Sequence, residues 1–173
     1  MKINLNNVYY KPLQKDSIST LLEMQEEAFD HANGNSDFLR RNTYETLEVC
    51  FYHPSLVLGA FYEEKMIAFG ILYVAGNTKE NLALDLDECE DVTKNANVKL
   101  TIVRPDFRGN GLQAELITKL EEHAKKEGFT WLTSTVSPAN PWSMHNLLKC
   151  GFTQSKVLEK YGGLKRMLFS KKI

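Results

Sequence analysis

The chain has 173 residues, of which 43% are hydrophobic and 25% are charged, and this composition predicts one globular domain that buries roughly 70% of the surface of the unfolded chain. The formal net charge of -1 gives no overall attraction for nucleic acid, and no basic arm interleaved with aromatic residues is present, so we expect no nucleic-acid partner. Neither the apolar core of a signal peptide nor an apolar run of roughly 20 residues occurs, so we expect a cytoplasmic protein with no membrane contact.

The first half of the chain predicts a strand, two helices and an antiparallel hairpin, in that order. Apolar residues at helical spacing indicate the first helix, which Asp16 or Ser17 caps, and Pro54 ends the second helix. Two β-rich runs around a short polar turn indicate the hairpin, and a polar connection at 34–41 separates the helices. The predicted elements are a strand at 6–14, helices at 18–29 and 43–53, and hairpin strands at 55–62 and 66–74.

The second half begins with an acidic segment and then alternates strands with helices. Between residues 76 and 97 the hydrophobic rhythm fails, and six carboxylates at 80–91 predict a loop or a poorly ordered excursion. Gly128 ends one later helix, and Asn140 followed by Pro141 starts the next. The predicted elements are strands at 98–103, 131–136, 155–161 and 165–171 and helices at 112–127 and 141–150. This order predicts a single α/β domain over residues 1–173 with a mixed sheet.

The turn PDFRGNG, residues 105–111, is the clearest candidate site in the sequence. Gly109 and Gly111 permit positive φ and close approach of backbone, and Arg108 adds a permanent positive charge. Because the unpaired N–H groups and the positive dipole end of a helix follow, the turn is typical of an anion nest, and a phosphate is the expected ligand. The alternative is an ordinary tight turn with a surface arginine. The spacing fits neither a Walker A loop nor a dinucleotide-binding turn.

In element order and in this turn, the sequence resembles the GNAT superfamily of N-acetyltransferases. The likeness covers nearly the whole chain, including the hairpin LVLGAFYEEKMIAFGIL, the segment TIVRPDFRGNGLQAELI and the segment NPWSMHNLLKCGF. The resemblance implies an α/β (α+β) fold, a single domain with a central mixed, mostly antiparallel sheet flanked by helices. Its most specific part is the family's acyl-CoA turn, which lies on Arg108, Gly111 and Gln113. Gln113 departs from the small residue that the family places there.

The resemblance also implies which residues bind acetyl-CoA, the expected co-substrate. The backbone N–H groups at 108–113 would hold the pyrophosphate, and the strand edge before the turn would bond the pantetheine arm. Gln113 would either meet the pyrophosphate with its longer side chain or point away. Asn140 would cap its helix, contact the CoA arm, or do both. The implied cofactor-binding residues are Ile102, Val103, Arg108, Gly109, Asn110, Gly111, Leu112, Gln113 and Asn140.

The expected chemistry is direct attack of an amine on the thioester in a ternary complex, with no covalent enzyme intermediate. Many family members protonate the leaving thiolate with a tyrosine, but Leu147 stands at that position here. A carboxylate base is also missing from the strand NVKLTIV at 97–103. Three alternatives remain open: Tyr161 is the acid, a water chain carries the proton, or the thiolate leaves unassisted because its pKa is low.

The acidic segment bears on the acceptor, for which we expect a small cationic amine or a protein amine. Six carboxylates in twelve residues are ordinarily a solvated loop. The sharper hypothesis is that some of them attract and deprotonate the amine, since the loop leads into the strand that flanks the thioester. The carboxylates proposed for substrate binding are Asp85, Asp87 and Glu88, with Glu90 and Asp91 beside them.

Two further readings of the chain stay open. Because the usual acid and base are absent, the alternative to an enzyme is a catalytically weak acyl-CoA-binding sensor or interaction module. A binder of phosphate ligands unrelated to CoA is a more remote alternative.

Cys50, Cys89 and Cys150 are far apart and lack ligand spacing, so we expect neither a metal nor a disulfide framework. Either a monomer or a homodimer fits the sequence.

Overall fold

A computed structural model describes residues 1–32 and 37–173 of the chain, so the predicted polar connection at 34–41 lies partly outside the described residues. Within these described residues, seven strands form one sheet in the order β1-β2-β3-β4-β5-β7-β6. The strands are β1 Tyr9–Pro12, β2 Leu56–Tyr62, β3 Lys65–Tyr73, β4 Asn95–Val103, β5 Trp131–Val136, β6 Thr153–Lys160 and β7 Leu164–Lys172. The helices are α1 Ile18–His31, α2 Tyr44–Glu48, α3 Leu112–Lys126 and α4 Pro141–Lys149.

The sheet is mixed and mostly antiparallel, which confirms the predicted fold class. Strands β1 to β4 pair antiparallel in chain order, and β7 pairs antiparallel with both β5 and β6. Strands β4 and β5 run parallel, joined by the α3 crossover, and they pair at only three positions, 95–97 against 131–133. The two halves of the sheet therefore meet at a short parallel junction.

Apolar side chains fill both faces of the sheet. The core-facing residues of α3 include Leu116 and Leu120, as their helical spacing predicts. Gly70 of β3 allows this helix to come close, because a Cβ there would lie 3.2 Å from Leu120 Cδ1. On the other face, α1 and α2 pack through residues such as Leu21 and Leu47 onto β3 and β4. Among the described residues, no helix is long and apolar enough to cross a membrane.

Helix boundaries follow the local sequence signals with two differences. At the start of α1, Ser17 stands at the N-cap position, but its side chain makes no capping hydrogen bond, contrary to the prediction that Asp16 or Ser17 caps this helix. The side chain of Asn140 accepts a 3.1 Å hydrogen bond from the N–H of Ser143, so it caps α4 as predicted. Gly128 takes a φ of 84° directly after α3, as expected of a glycine that ends a helix. The helix predicted at 43–53 is shorter: α2 ends at Glu48, and a 3₁₀ turn, Val49–Phe51, follows it.

The acidic segment is a loop, but its packing contradicts a poorly ordered excursion. Leu82, Ala83, Leu86 and Cys89 are buried against Leu168 of β7. These apolar residues alternate with the carboxylates, so one side of the loop reaches the core while the other is solvated. A count of the charged residues in the segment does not reveal this alternation of apolar and acidic residues.

A buried asparagine holds the two ends of this loop together. The side-chain amide of Asn81 donates 2.7 Å hydrogen bonds to the carbonyls of Gly76 and Val92 and lies fully inside the protein. Its oxygen accepts hydrogen bonds from the Ala83 N–H and from the Asn95 side chain. A buried amide with all of these groups satisfied fixes the loop against β4.

Candidate functional site

A deep cleft opens where β4 and β5 stop pairing. Their last paired position joins Asn97 and Thr133, and beyond it the two strands diverge. The hydroxyl of Ser134 donates a 2.8 Å hydrogen bond to the Val98 carbonyl at the first open position. The cleft has a volume of about 1140 Å³ and is lined by 98–103 of β4, 134–137 of β5 and the turn before α3. A strand edge without a partner presents free peptide groups to whatever enters.

The predicted anion nest forms one wall of this cleft. After a 3₁₀ turn, Pro105–Phe107, the backbone takes φ values of 76° at Gly109 and 82° at Gly111, and α3 then begins. Within residues 1–32 and 37–173, the N–H groups at 109–114 have no hydrogen-bond acceptor. Arg108 lies beside them, and its Nε donates a 3.3 Å hydrogen bond to the Val103 carbonyl. The turn therefore presents unpaired donors and a cation at the positive end of a 15-residue helix.

Most of the residues expected to bind the co-substrate line the cleft. Asn110 is the exception, because its side chain is turned to the N-terminal residues: it accepts from the N–H of Ile3 and donates to the carbonyls of Met1 and Phe107. The expected residues that line the cleft are Ile102, Val103, Arg108, Gly109, Gly111, Leu112, Gln113 and Asn140.

The side chain of Gln113 lies between α3, β4 and α4. Its Nε2 donates to the hydroxyls of Thr101 and Ser143, at 2.9 and 3.1 Å, and its Oε1 accepts a 2.7 Å hydrogen bond from Asn146. Of the two orientations considered for Gln113, the structure has the one turned away from the nest. Apart from the departure of Gln113 from the family pattern, no sequence signal points to Ser143 or Asn146.

Tyr161 stands on the opposite wall. Its hydroxyl lies 2.9 Å from the Thr135 hydroxyl of β5, and its φ is 55°, between β6 and β7. The Arg40 guanidinium lies over its ring at 4.2 Å from the centroid and forms an ion pair with Glu80 at 3.1 Å. Leu147 of α4, at the position of the family tyrosine, is buried in the core that α3 also fills, and it borders the cleft with an apolar side chain. The β6–β7 turn therefore brings one tyrosine hydroxyl, that of Tyr161, to the cleft.

Two more cations lie on the same wall. Lys99 is the extra residue of a β-bulge, since β3 pairs Ile71 with Leu100 and the next residue, Leu72, with Val98. Burial lowers the pKa of Lys99, whose Nζ lies 4.9 Å from the centroid of the Tyr73 ring. We call the cleft residues Arg40, Glu80, Lys99, Tyr161 and Arg166 the charged wall.

Arg166 of β7 is the most buried member of the charged wall, at 3% exposure. Its Nη1 donates a 2.9 Å hydrogen bond to the Lys165 carbonyl. Burial lowers the pKa of Arg166, while the charges of Tyr161 and Asp37 favour its protonated form. Arg40 and Arg166 could not be predicted as site residues from the sequence, because neither lies in a local motif.

The acidic segment contributes one carboxylate to the cleft, that of Glu80, held by a hydrogen bond from Asn97 to the Glu80 carbonyl. Asp85 forms an ion pair with Lys160 and Asp87 with Lys156, while the other predicted carboxylates are exposed on the loop, where Asp91 caps a 3₁₀ turn. None of the predicted substrate-binding residues Asp85, Asp87 and Glu88 lines the cleft. Their predicted role in binding the amine is untested, and their placement gives it no support.

Across the described residues, no cluster of three or more metal-binding side chains occurs.

Comparison with known proteins matches a family model described as Acetyltransferase (GNAT) family to residues 18–152. No curated protein matches the chain. A solved ribosomal-protein-alanine N-acetyltransferase from Brucella melitensis superposes with a TM-score of 0.73 at 16% identity, covering 95% of this chain and 99% of that one. The putative acetyltransferase yncA from Salmonella typhimurium, with its cofactor acetyl-CoA, gives 0.72 at 14% identity, covering 96% and 94%. The paia N-acetyltransferase from Thermoplasma acidophilum, in complex with coenzyme A, gives 0.68 at 18% identity, covering 96% and 99%.

Proposed function

Because the chain belongs to the GNAT acetyltransferase family, we propose that it transfers an acetyl group from acetyl-CoA to a small amine by direct attack in a ternary complex. The observation that carries this proposal is the row of unpaired N–H groups at 109–114, beside Arg108 and at the start of α3. A pyrophosphate bound there would meet several donors and the positive end of the helix dipole. Two of the similar structures contain acetyl-CoA or coenzyme A.

The open edge of β4 is the proposed site for the pantetheine arm. Beyond Asn97 this strand has lost its pairing with β5, so its peptide groups face the cleft. Amide groups of the arm can hydrogen-bond to such an edge in the manner of an added strand. Ile102 and Val103 are the last residues of β4 before the turn, so an arm laid along them would run from the pyrophosphate toward the charged wall.

The charged wall is the proposed place of the reaction. The neutral amine attacks the thioester carbonyl and forms a C–N bond, and the C–S bond of the tetrahedral intermediate then breaks. The attacking nitrogen releases its extra proton to solvent, and the departing thiolate takes a proton from an acid. We propose Tyr161 as the donor of that proton, since Thr135 orients its hydroxyl at 2.9 Å. Glu80 is the carboxylate of the wall, and in the proposal it attracts the ammonium form of the acceptor before the ammonium loses its proton.

A sensor that binds acetyl-CoA without turnover is the second candidate. Leu147 replaces the family tyrosine with a core side chain, and β4, the strand from which many family members draw a carboxylate base, carries no carboxylate. In both places a usual proton-transfer group is missing, while the anion nest is kept. The two candidates therefore share the binding step and differ in the chemical step.

Calorimetric titration with acetyl-CoA and a thiol-release assay separate the candidates. We expect saturable binding that Gly111→Val abolishes, and release of free CoA when small amines are added. A peptide that begins with alanine tests the protein amine, which the two ribosomal-protein-alanine acetyltransferases among the similar structures suggest. Binding with no release for any amine would favour the sensor. Folded protein that does not bind acetyl-CoA would overturn both candidates.

A further inference from the structure

Arg166 is a buried cation whose hydrogen bonds are incomplete. The residue is 3% exposed, and Nη1 donates to the Lys165 carbonyl at 2.9 Å. Its Nη2 is buried as well and has no hydrogen-bond partner in the described part of the chain. A buried donor left unpaired is costly, and more so when it carries charge. Such a cost is ordinarily offset by a partner, and Arg166 lines the cleft from which a partner can come.

Strand register places this guanidinium beside the proposed reaction site. Thr135 of β5 is paired with Leu168 of β7, and Arg166 lies two residues before Leu168 on the same strand. Residues two apart on a strand share a face and are separated by roughly 7 Å. Arg166 therefore emerges on the face that carries the Thr135 and Tyr161 hydroxyl pair, one step farther along β7.

Arg40, the other arginine of the charged wall, is already engaged in contacts within the protein. Arg40 is paired with Glu80 at 3.1 Å and stacks on the Tyr161 ring. Burial lowers the pKa of Arg166 and the charges of Tyr161 and Asp37 oppose this shift, but an arginine side chain stays protonated in proteins. The wall thus offers an arginine with a free donor and, across from it, a carboxylate, which is the charge pattern of a site for a zwitterion.

We infer that the acceptor carries a carboxylate close to its amine, as an amino acid does, and that Nη2 of Arg166 binds this carboxylate. The inference rests on the proposed transfer to an amine and names the class of that amine. A guanidinium suits a carboxylate because its donors are planar and parallel. Bound in this way, the acceptor has its amine directed along the wall past Tyr161, toward the thioester.

The first test observes Arg166 directly and does not need turnover. The chain has five arginines, so the side-chain Nε–H signals of ¹⁵N-arginine-labelled protein can be assigned, with Arg166→Lys removing one. The protein, first free and then in the presence of CoA, is titrated with the standard amino acids, with their primary amides, and with phosphoethanolamine. We expect at least one free amino acid to shift the Arg166 signal saturably and its amide to leave it unmoved. No response to any carboxylate, or a response to phosphoethanolamine alone, would overturn the inference.

The second test compares kcat/KM for an amino acid and for its amide. We expect the wild type to prefer the acid by about 30-fold, the scale of one charged hydrogen-bond pair. Arg166→Gln should remove most of this preference and Arg166→Lys should restore part of it, which a merely structural role would not do. Arg41→Gln is the matched control, because Arg41 is exposed, pairs with Glu26 and lies outside the cleft. Equal losses for acid and amide in Arg166→Gln would contradict the inference.

The two proposals fail in different ways. If neutral amines are acetylated while carboxylates leave the Arg166 signal unmoved, the transfer reaction stands and the acceptor class is wrong. If carboxylates shift the signal but acetyl-CoA does not bind, the anion site stands and the acetyltransferase proposal is wrong. Calorimetry on the same preparation distinguishes these outcomes.

Discussion

The hydroxyl of Ser134 and the carbonyl of Val98 form a 2.8 Å hydrogen bond at the point where β4 and β5 separate. Ser134 is 7% exposed, so its loss leaves a buried carbonyl unpaired at the apex of the cleft. We expect Ser134→Ala to lower the free energy of unfolding by about 1–2 kcal/mol, measured by urea denaturation. Thr118→Ala is the control, since Thr118 bonds the Ala114 carbonyl on the exposed side of α3. Similar losses in both variants would show that the apex bond has no special role.

Gly111 and Gly128 form a matched pair at the two ends of α3. Their φ values are 82° and 84°, and an added Cβ would meet no atom within 4 Å at either position. Alanine should therefore cost each about 1 kcal/mol of stability through backbone strain alone. Only Gly111 belongs to the nest, so we expect Gly111→Ala to weaken acetyl-CoA binding by at least about 30-fold and Gly128→Ala by less than about threefold. Calorimetry checks both, and equal weakening would remove the nest as the binding site.

The sequence predicts those parts of the fold that depend on neighbours along the chain. The buried face of α3, the Asn140 cap and the glycine turn follow from local spacing, and all three are found. The order of the elements adds the mixed sheet, and the family likeness adds that the sheet is mostly antiparallel, which no local pattern specifies.

What the sequence does not predict depends on contacts between distant segments. The acidic segment is packed because Asn81 bonds residues 5 to 14 positions away and because Leu168 covers its apolar side. Arg40 and Arg166 are 126 positions apart, yet both lie on the charged wall. Lys99 enters the cleft through a bulge that only the pairing of β3 with β4 creates.

Tyr161→Phe tests the proposed proton donor. The substitution removes the hydroxyl that lies 2.9 Å from Thr135 and keeps the ring under Arg40. We expect kcat to fall by about 100-fold, the lower range for general acid catalysis, with unchanged acetyl-CoA affinity. Tyr73→Phe is the control, because Tyr73 also lines the cleft and no role in proton transfer is proposed for it. An unchanged kcat in Tyr161→Phe would favour a water chain or unassisted departure of the thiolate.

Lys99 should make the stability of the protein depend on pH at the alkaline end. Burial lowers its pKa below the ordinary lysine value of 10.5, with Arg40 adding to the shift and Cys50 and Glu80 opposing it. At neutral pH both the folded and the unfolded chain carry the proton, and the folded chain bears the full cost of the buried charge. As pH rises through the folded pKa toward 10.5, the folded chain loses the proton first, so this cost disappears and stability relative to neutral pH increases.

Replacing Lys99 with methionine removes that cost and keeps a side chain of similar length. We therefore expect Lys99→Met to raise the free energy of unfolding at pH 7 by about 1 kcal/mol, and the gain to shrink toward zero as pH approaches 10.5. Urea denaturation at several pH values measures this, with the exposed Lys126→Met as a control that should change little at any pH. A variant less stable than the wild type at pH 7 would mean that the contact between Lys99 and the Tyr73 ring, at 4.9 Å, outweighs the cost of burying the charge.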